Sequence, residues 1–179
     1  MTRMAPTPSG FLHLGNMYNF ILNWLWARAN NGKVLLRIDD ADTERKRKEY
    51  LDDIFRVLEK TGLDWDLGPT GPDDFERNWT QAQRNDIYAS LLATLREQGL
   101  LYACTCSRKD RQHGFEETPC NCRDANIPFD SPAVAWRIKT DPGAVVSLND
   151  KRMGNLSMPV NDFIVRRKDG IASYQLSSL

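Results

Sequence analysis

Nothing in this chain approaches the ~20 uninterrupted apolar residues that a bilayer span needs. The N-terminus, Met1-Thr2-Arg3-Met4-Ala5-Pro6, also lacks the apolar core of a signal peptide, so the cytoplasm is the expected location. No sign of charge dominates: 24 Lys and Arg face 24 Asp and Glu, which excludes a polybasic coat for nucleic acid but not a local basic patch. Histidine is limited to His13 and His113, and all four cysteines crowd into residues 104–122 instead of stapling distant parts of a fold. In a reducing compartment such crowding points to a metal clip before disulfides. There is no internal repeat, no low-complexity segment and no Gly-Lys-Ser/Thr, which excludes a P-loop. What is present is an ordinary globular composition, 41% hydrophobic and 27% charged over 179 residues, enough for one domain with an insertion.

The order of patterns predicts a βαβ opening. A short strand at Thr2–Ala5 runs into the turn-rich Pro6-Thr7-Pro8-Ser9-Gly10, and an apolar helical stretch follows over 18–27. Phe20, Trp24 and Ala27 share one helical face there; Ile21, Leu25 and Arg28 share another, and Gly32 is a stop. The aliphatic run Lys33–Ile38 predicts a strand buried on both faces. Asp39-Asp40-Ala41-Asp42-Thr43 lies at its carboxyl end, where open α/β sheets place their ligands, and Asp42 or Thr43 is a candidate cap for the next helix. That helix carries Tyr50, Leu51, Ile54, Phe55 and Leu58 and stops at Gly62. A further helix bears Ile87, Leu91, Leu92 and Leu95 and closes at Gly99, and strands are expected at 100–103, 133–138 and 162–166. Lys168-Asp169-Gly170 is a tight-hairpin signal, and 107–132 reads as irregular.

Two prolines and two glycines stiffen the first loop, and Gly15 lets backbone approach a flat ligand. The helix start near Asn16 offers free N–H groups to phosphate, and His13 adds a ring donor beside it. Arg3 and Asp39 would both lie at the sheet's carboxyl edge, one suited to a carboxylate and the other to an ammonium group. From charge alone, these two could equally be a strand-end cation and part of a capping cluster. Glu44–Glu49 reads as a solvated face, and Trp24 and Trp26 read as packing residues. Arg166-Arg167-Lys168 could meet RNA backbone or simply aid solubility.

The run Arg3-Met4-Ala5-Pro6-Thr7-Pro8-Ser9-Gly10-Phe11-Leu12-His13-Leu14-Gly15-Asn16, followed by Arg37-Ile38-Asp39-Asp40-Ala41-Asp42, resembles the opening of the class I glutamyl-tRNA synthetase family. His13-Leu14-Gly15-Asn16 is similar to the HIGH signature, with Asn16 in place of the last histidine. Leu63–Pro69, Cys104-Thr105-Cys106 and Asp162–Leu176 fall where that family has matching segments. The resemblance implies a Rossmann-like α/β catalytic domain, a parallel sheet with flanking helices, carrying a small zinc-binding insertion. Its expected parts are the first half of the catalytic domain at 1–103, a cysteine-rich insertion at 104–132 and a continuation with a hairpin at 133–179.

The resemblance further implies that Arg3, Ala5 and Thr7 bind the substrate glutamate, Arg3 taking its side-chain carboxylate. Asp39, usually Glu in the family, would contact the amino group, and Tyr174 would line the amino-acid pocket. Pro8, Ser9, Gly10, His13, Gly15 and Asn16 would form the ATP site, the last three stabilising the α-phosphate while the carboxylate attacks it, with magnesium on the phosphates. Cys104, Cys106, Cys120 and Cys122 can supply four thiolates to one tetrahedral zinc, although Glu116 or His113 could replace the last ligand.

Two subfamilies then compete. One attaches glutamate to the queuosine base of tRNA(Asp) with a catalytic domain alone, and is favoured because no anticodon domain is visible. The other charges the 3′ end of tRNA(Glu). A non-catalytic tRNA-binding fragment and a small nucleotidyltransferase are more distant readings. The resemblance also implies a second ATP loop, Lys-Met/Leu-Ser-Lys-like, which these 179 residues do not contain, so the expectation is the first half of a longer, monomeric enzyme.

Overall fold

A computed structural model describes residues 1–107 and 121–178. Backbone contacts divide the chain into two compact units, Met1–Asn85 and Asp86–Leu179.

In the first unit, β1 (Thr2–Met4) leads through a loop into α1 (Leu14–Ala29) and returns to β2 (Val34–Leu36). The two strands pair in parallel, Thr2 with Val34 and Met4 with Leu36, as a βαβ crossover requires. The opposite edge of β2 is also occupied: Leu36 N–H donates to the Leu67 carbonyl at 2.8 Å, and Leu67 N–H donates to Val34 at 3.2 Å. Pairing on both edges makes β2 an interior strand, in keeping with a run that is aliphatic but for Lys33 and Arg37, and Val34, Leu36 and Ile38 are no more than 2% exposed. Gly68 follows at φ 119°, where an added Cβ would sit 2.2 Å from the Leu36 carbonyl oxygen. Only glycine lets the chain leave the sheet there.

α2 (Lys48–Thr61) buries Leu51, Ile54, Phe55 and Leu58 and ends at Gly62 in the left-handed conformation, as its periodicity predicts. Its start differs from expectation. The turn at 43–45 runs on to Arg47, whose side chain makes no capping bond, so neither Asp42 nor Thr43 caps this helix. α3 (Pro72–Asn78) was not evident from the pattern, because seven residues with one buried anchor, Phe75, show no period. A 3-10 turn at Gln81–Arg84 completes the unit.

α1 buries Phe20 and Ala27 and half-buries Trp24 on the predicted face. Trp26 is 53% exposed and therefore does not pack as expected, and Ile21 and Leu25 also face outward. The inner end of α1 is held to the core by charge. Trp24 donates its indole N–H to Asp64 at 2.6 Å, Arg28 bridges Asp64 and Asp66 at 3.0 and 2.8 Å, and Asp66 accepts the Val34 N–H at 2.7 Å.

The second unit starts with α4 (Asn85–Glu97), which buries Tyr88 and Leu92; Ile87 and Leu91, expected in the core, are 64% and 37% exposed. The face centres on 88, 92 and 95, because Tyr88 supplies the large apolar group that the aliphatic pattern overlooked. β3 (Leu101–Cys104) and β4 (Ala135–Ile138) pair antiparallel. A long hairpin follows, β5 (Val145–Asp150) with β6 (Gly154–Pro159), and then β7 (Ile164–Arg166) joins the free edge of β4. The turn after β7 closes as predicted, with Arg167 N–H donating to Ile171 at 2.8 Å and Gly170 at φ 89°. α5 (Tyr174–Ser177) is capped by the Ser173 hydroxyl. Among the described residues no helix is long and apolar enough to cross a membrane.

The Asp64 and Asp66 carboxyls are held below their ordinary value, Asp64 first by the Trp24 indole and Asp66 first by the Val34 amide. A lowered folded value means stability that is complete above 3.8 and drains away as pH falls through the lowered value. The denaturation midpoint, followed by intrinsic tryptophan fluorescence, should therefore drop between about pH 5 and pH 3. The drop should shrink in Asp66→Asn; an equal acid loss in both proteins would contradict the assignment.

Candidate functional site

The loop between β1 and α1 is held from three directions. The parallel ladder continues past the strand ends, with Arg37 N–H donating to Met4 and Asp39 N–H donating to Pro6, both at 2.9 Å. Arg47 N–H at the start of α2 donates to the Pro8 carbonyl at 3.2 Å. Further along, Leu12 N–H donates to the buried Asp53 carboxylate of α2 at 3.2 Å, and Phe11 meets Tyr50 edge-to-face at 4.9 Å. Arg56 pairs with the other Asp53 oxygen. The result is one strip that runs Arg3, Ala5, Thr7, Pro8, Ser9, Gly10 and then His13, with Asp39 beside Pro6.

His13 is the N-cap of α1. Its Nδ1 accepts the Gly15 N–H at 3.1 Å, while Asn16 Oδ1 accepts the His13 N–H at 3.1 Å. A neutral imidazole that accepts at Nδ1 carries its proton on Nε2, so the ring offers one N–H donor away from the helix. His13 and Gly15 are exposed and Asn16 is half-buried, at the positive end of a sixteen-residue helix. Gly15 has a second role beyond backbone approach: a Cβ there would stand 3.0 Å from His13 Cε1 and 3.1 Å from Nδ1. Asn16 closes the reciprocal cap that orients the histidine.

Asp39 is buried and already gripped. Arg37, two residues earlier on the same side of the strand, donates Nε to Oδ1 at 2.6 Å and Nη2 to Oδ2 at 3.0 Å. Asp40, 3% exposed, accepts the Gln81 N–H at 2.8 Å and the Lys46 ammonium at 3.1 Å. Gln81 returns the contact by accepting the Ala41 N–H at 2.7 Å, and Lys46 also reaches Glu76 at 2.8 Å. Burial disfavours the Lys46 charge, yet its bonds to Glu76 and Asp40 keep its pKa above the ordinary lysine value. Arg37, Lys46, Asp53 and Gln81 were not singled out by sequence. Only Arg37 carried a signal, as a charge inside an aliphatic run at i−2 from Asp39; Asp53 and Gln81 act across |i−j| of about forty, and Lys46 joins Asp40 six residues away to Glu76 thirty residues away.

Tyr174 belongs to the second unit, where it opens α5 and is 65% exposed. In the same unit Cys104 ends β3, Cys106 follows it, and Cys122 sits in a 3-10 turn at Asn121–Arg123. Their sulfurs all lie within 4.8 Å of one another, with Cys106 and Cys122 at 3.6 Å. Thiolates around one tetrahedral ion at ~2.3 Å stand about 3.8 Å apart, so the spacing is compatible with a metal. Cys120, Glu116 and His113 lie outside the described residues. Arg123 anchors the turn by bonding both Asp162 oxygens, at 3.0 and 3.1 Å, and the Thr140 carbonyl at 3.0 Å. Burial raises the Asp162 pKa, but the Thr140 amide and hydroxyl outweigh it and hold the carboxyl below its usual value. Lys168 donates to the Thr105 carbonyl between the first two cysteines at 2.5 Å.

The profile of a family described as tRNA synthetases class I (E and Q), catalytic domain, matches residues 1–179. The chain belongs to that family. Among curated relatives, a glutamyl-Q tRNA(Asp) synthetase of Pseudomonas putida is 39% identical over 98% of this chain and 56% of its own length. Those of Dechloromonas aromatica and Photorhabdus laumondii are 35% and 37% identical over 58% and 52% of theirs. This synthetase-family chain thus spans about half the length of the curated relatives it matches. Among solved structures, the glutamate tRNA ligase of Elizabethkingia meningosepticum aligns with a TM-score of 0.74 at 23% identity. The glutamate-tRNA synthetase of Elizabethkingia anophelis aligns at 0.75 and 23% identity; each alignment covers 98% of this chain and 40% of that one. These two likenesses establish the class I synthetase fold, mixed α/β with a parallel sheet.

In Gly15→Ala the new methyl should push the imidazole off its bond to the residue 15 amide, whose hydrogen exchange should accelerate. The lost cap costs about 1 kcal/mol and the gain in helix propensity from Gly to Ala is of similar size, so the melting temperature should barely move. An amide as protected as in the parent would refute this account of Gly15.

Proposed function

We propose that this chain forms the glutamate-activating part of an enzyme that makes glutamyl-adenylate from glutamate and ATP and passes the glutamate to the queuosine base of tRNA(Asp). The observation that carries the reading is the set of curated relatives near 39% identity named glutamyl-Q tRNA(Asp) synthetase, met by a loop whose geometry suits an ATP phosphate. Arg3 takes the side-chain carboxylate of glutamate, and Ala5 and Thr7 shape its seat. Asp39 faces the amino group while Arg37 holds its carboxylate in place, and its shorter side chain leaves room for a bridging water. Pro8, Ser9 and Gly10 border the nucleotide, with magnesium arriving on its phosphates.

Catalysis then needs no protein nucleophile. One oxygen of the glutamate α-carboxylate forms a bond to the α-phosphorus as the bond to pyrophosphate breaks. His13 donates Nε2–H to the charge that accumulates on the α-phosphate oxygens, and the opening turn of α1, with Gly15 and Asn16, adds its positive dipole end. Arg37, Asp53 and the reciprocal His13–Asn16 cap are positioning groups that keep these donors in register. The cytoplasm is the expected compartment.

The three sulfurs suit zinc, which would tie Cys104 at the end of β3 and Cys106 just after it to Cys122, with Cys120 as the simplest fourth ligand and Glu116 or His113 as alternatives. Its contribution would be structural, ordering the insertion.

The test of activity is ATP–pyrophosphate exchange with glutamate, using protein made from the complete coding sequence. Exchange without tRNA is expected. Exchange only when tRNA is added would identify an ordinary glutamate-tRNA ligase, and none under either condition would leave a non-catalytic tRNA-binding protein. For the metal, reduced protein should contain one zinc per chain, and Cys106→Ser should lose most of it; a substoichiometric content in freshly reduced parent protein would overturn the zinc site.

A further inference from the structure

The second unit holds a stack of cations on aromatic rings that the adenylation chemistry leaves unused. β4 and β7 set Trp136 opposite Arg166, and the Arg166 guanidinium carbon lies 4.8 Å from the centre of the indole. Arg96, in the last turn of α4, lies 5.8 Å from the same ring and 4.6 Å from that of Phe129. Phe129 meets Trp136 edge-to-face at 5.0 Å, and the indole N–H donates to the Phe129 carbonyl at 3.3 Å. The two rings are thereby locked to each other, and both arginines rest on a fixed surface.

A guanidinium laid on a ring spends its flat face on aromatic carbon and keeps its N–H edges for oxygen. Those edges suit phosphate oxygens taken two at a time. The neighbouring cations are committed within the fold: Arg167 pairs with Asp169 at 2.6 Å and Lys168 donates to Thr105. Among the described residues neither Arg96 nor Arg166 pairs with a carboxylate. Arg96 is exposed and Arg166 is half-buried. Of the basic run at the hairpin tip, which could meet RNA or simply aid solubility, Arg166 is the member free for that role, while Arg167 and Lys168 stay exposed but are bonded to Asp169 and to the Thr105 carbonyl.

We propose that Arg96 and Arg166, held on Trp136 and Phe129, form a docking point for the phosphate backbone of RNA. This rests on the synthetase reading above, which supplies RNA as the macromolecule, and adds where this unit grips it. Stacking restricts both side chains before RNA arrives, so less rotamer entropy is lost on binding than for two solvated lysines. The contact is to phosphate and carries no sequence information; it sets position on the RNA while specificity lies elsewhere.

The experiment titrates unfractionated tRNA against the parent protein, Arg96→Gln, Arg96→Lys and Arg166→Gln at several salt concentrations, with melting temperature and glutamate-dependent exchange measured alongside. Arg96 lies on a helix surface, so its variants are the primary test, and Arg166→Gln is read only if its melting temperature is retained. Each glutamine variant should bind about tenfold more weakly and lose about one from the log–log salt slope. Arg96→Lys should keep the slope yet lose affinity, because the charge remains and the stacked fork does not. Exchange should stay at the parent level. Unchanged affinity and slope in a folded Arg96→Gln would overturn the proposal, as would a loss of exchange with tRNA binding intact. If the parent gives no exchange while the arginine variants still lose tRNA, the docking point stands and the adenylation reading falls.

Discussion

The first unit depends on a parallel ladder that does not stop where its strands stop. Beyond β1 and β2 the pairing continues through Arg37 to Met4 and Asp39 to Pro6, into a loop whose prolines have carbonyls but no N–H groups. At Pro6 and Pro8 the backbone can only accept, and the donors that meet those two carbonyls come from Asp39 in the β2 extension and from Arg47 at the start of α2. The backbone that borders a candidate phosphate site is therefore fixed by ordinary sheet and turn bonds, and His13 inherits its position from them. Asp53 and Tyr50 on α2 complete the support, so a helix that carries none of the candidate site residues fixes the loop that does.

Buried charge does the rest. Arg37 with Asp39, and Lys46 with Asp40, are desolvated pairs of the kind whose Coulombic gain is largely offset by the cost of leaving water. Their value lies in geometry: two forked or bridged carboxylates, followed by Gln81 on the Ala41 amide, leave the 39–46 turn few alternatives. A shorter acid at 39 suits this arrangement, because a carboxylate at i+2 of a strand reaches Arg37 directly.

The second unit uses the same logic with sulfur. The Cys-x-Cys pair ends a strand whose register against β4 is set by four cross-strand partners, and the third cysteine rides on a turn pinned by Arg123 and Asp162. The opposite side of the same sheet carries the Arg–Trp–Phe stack. A thin antiparallel sheet thereby presents a cysteine cluster and a cation platform, with the hairpin turn after β7 reaching toward the cysteines through Lys168.

Where a feature depends on residues near one another in the chain, it was legible beforehand: the βαβ order, the aliphatic β2, the amphipathic face of α2, the glycine stops at 62 and 99, the hairpin at 168–170 and the cysteine pair. The family opening, Arg3 to Asn16, was equally plain, because its content is a local motif. Contacts that close over thirty residues or more were not legible. The backbone bridge at Leu67, the support of Leu12 by Asp53, the Gln81–Asp40 exchange and the outward turn of Trp26 all depend on which element arrives alongside, and no periodicity encodes that. The cap of α2 failed for the same reason, since Asp42 and Thr43 have the right chemistry but the turn carries the chain past them. Sequence by itself determined which residues could bind, because chemistry belongs to side chains. Tertiary structure decided which of them are held, gripped or left facing solvent, because direction and burial exist only once distant segments meet.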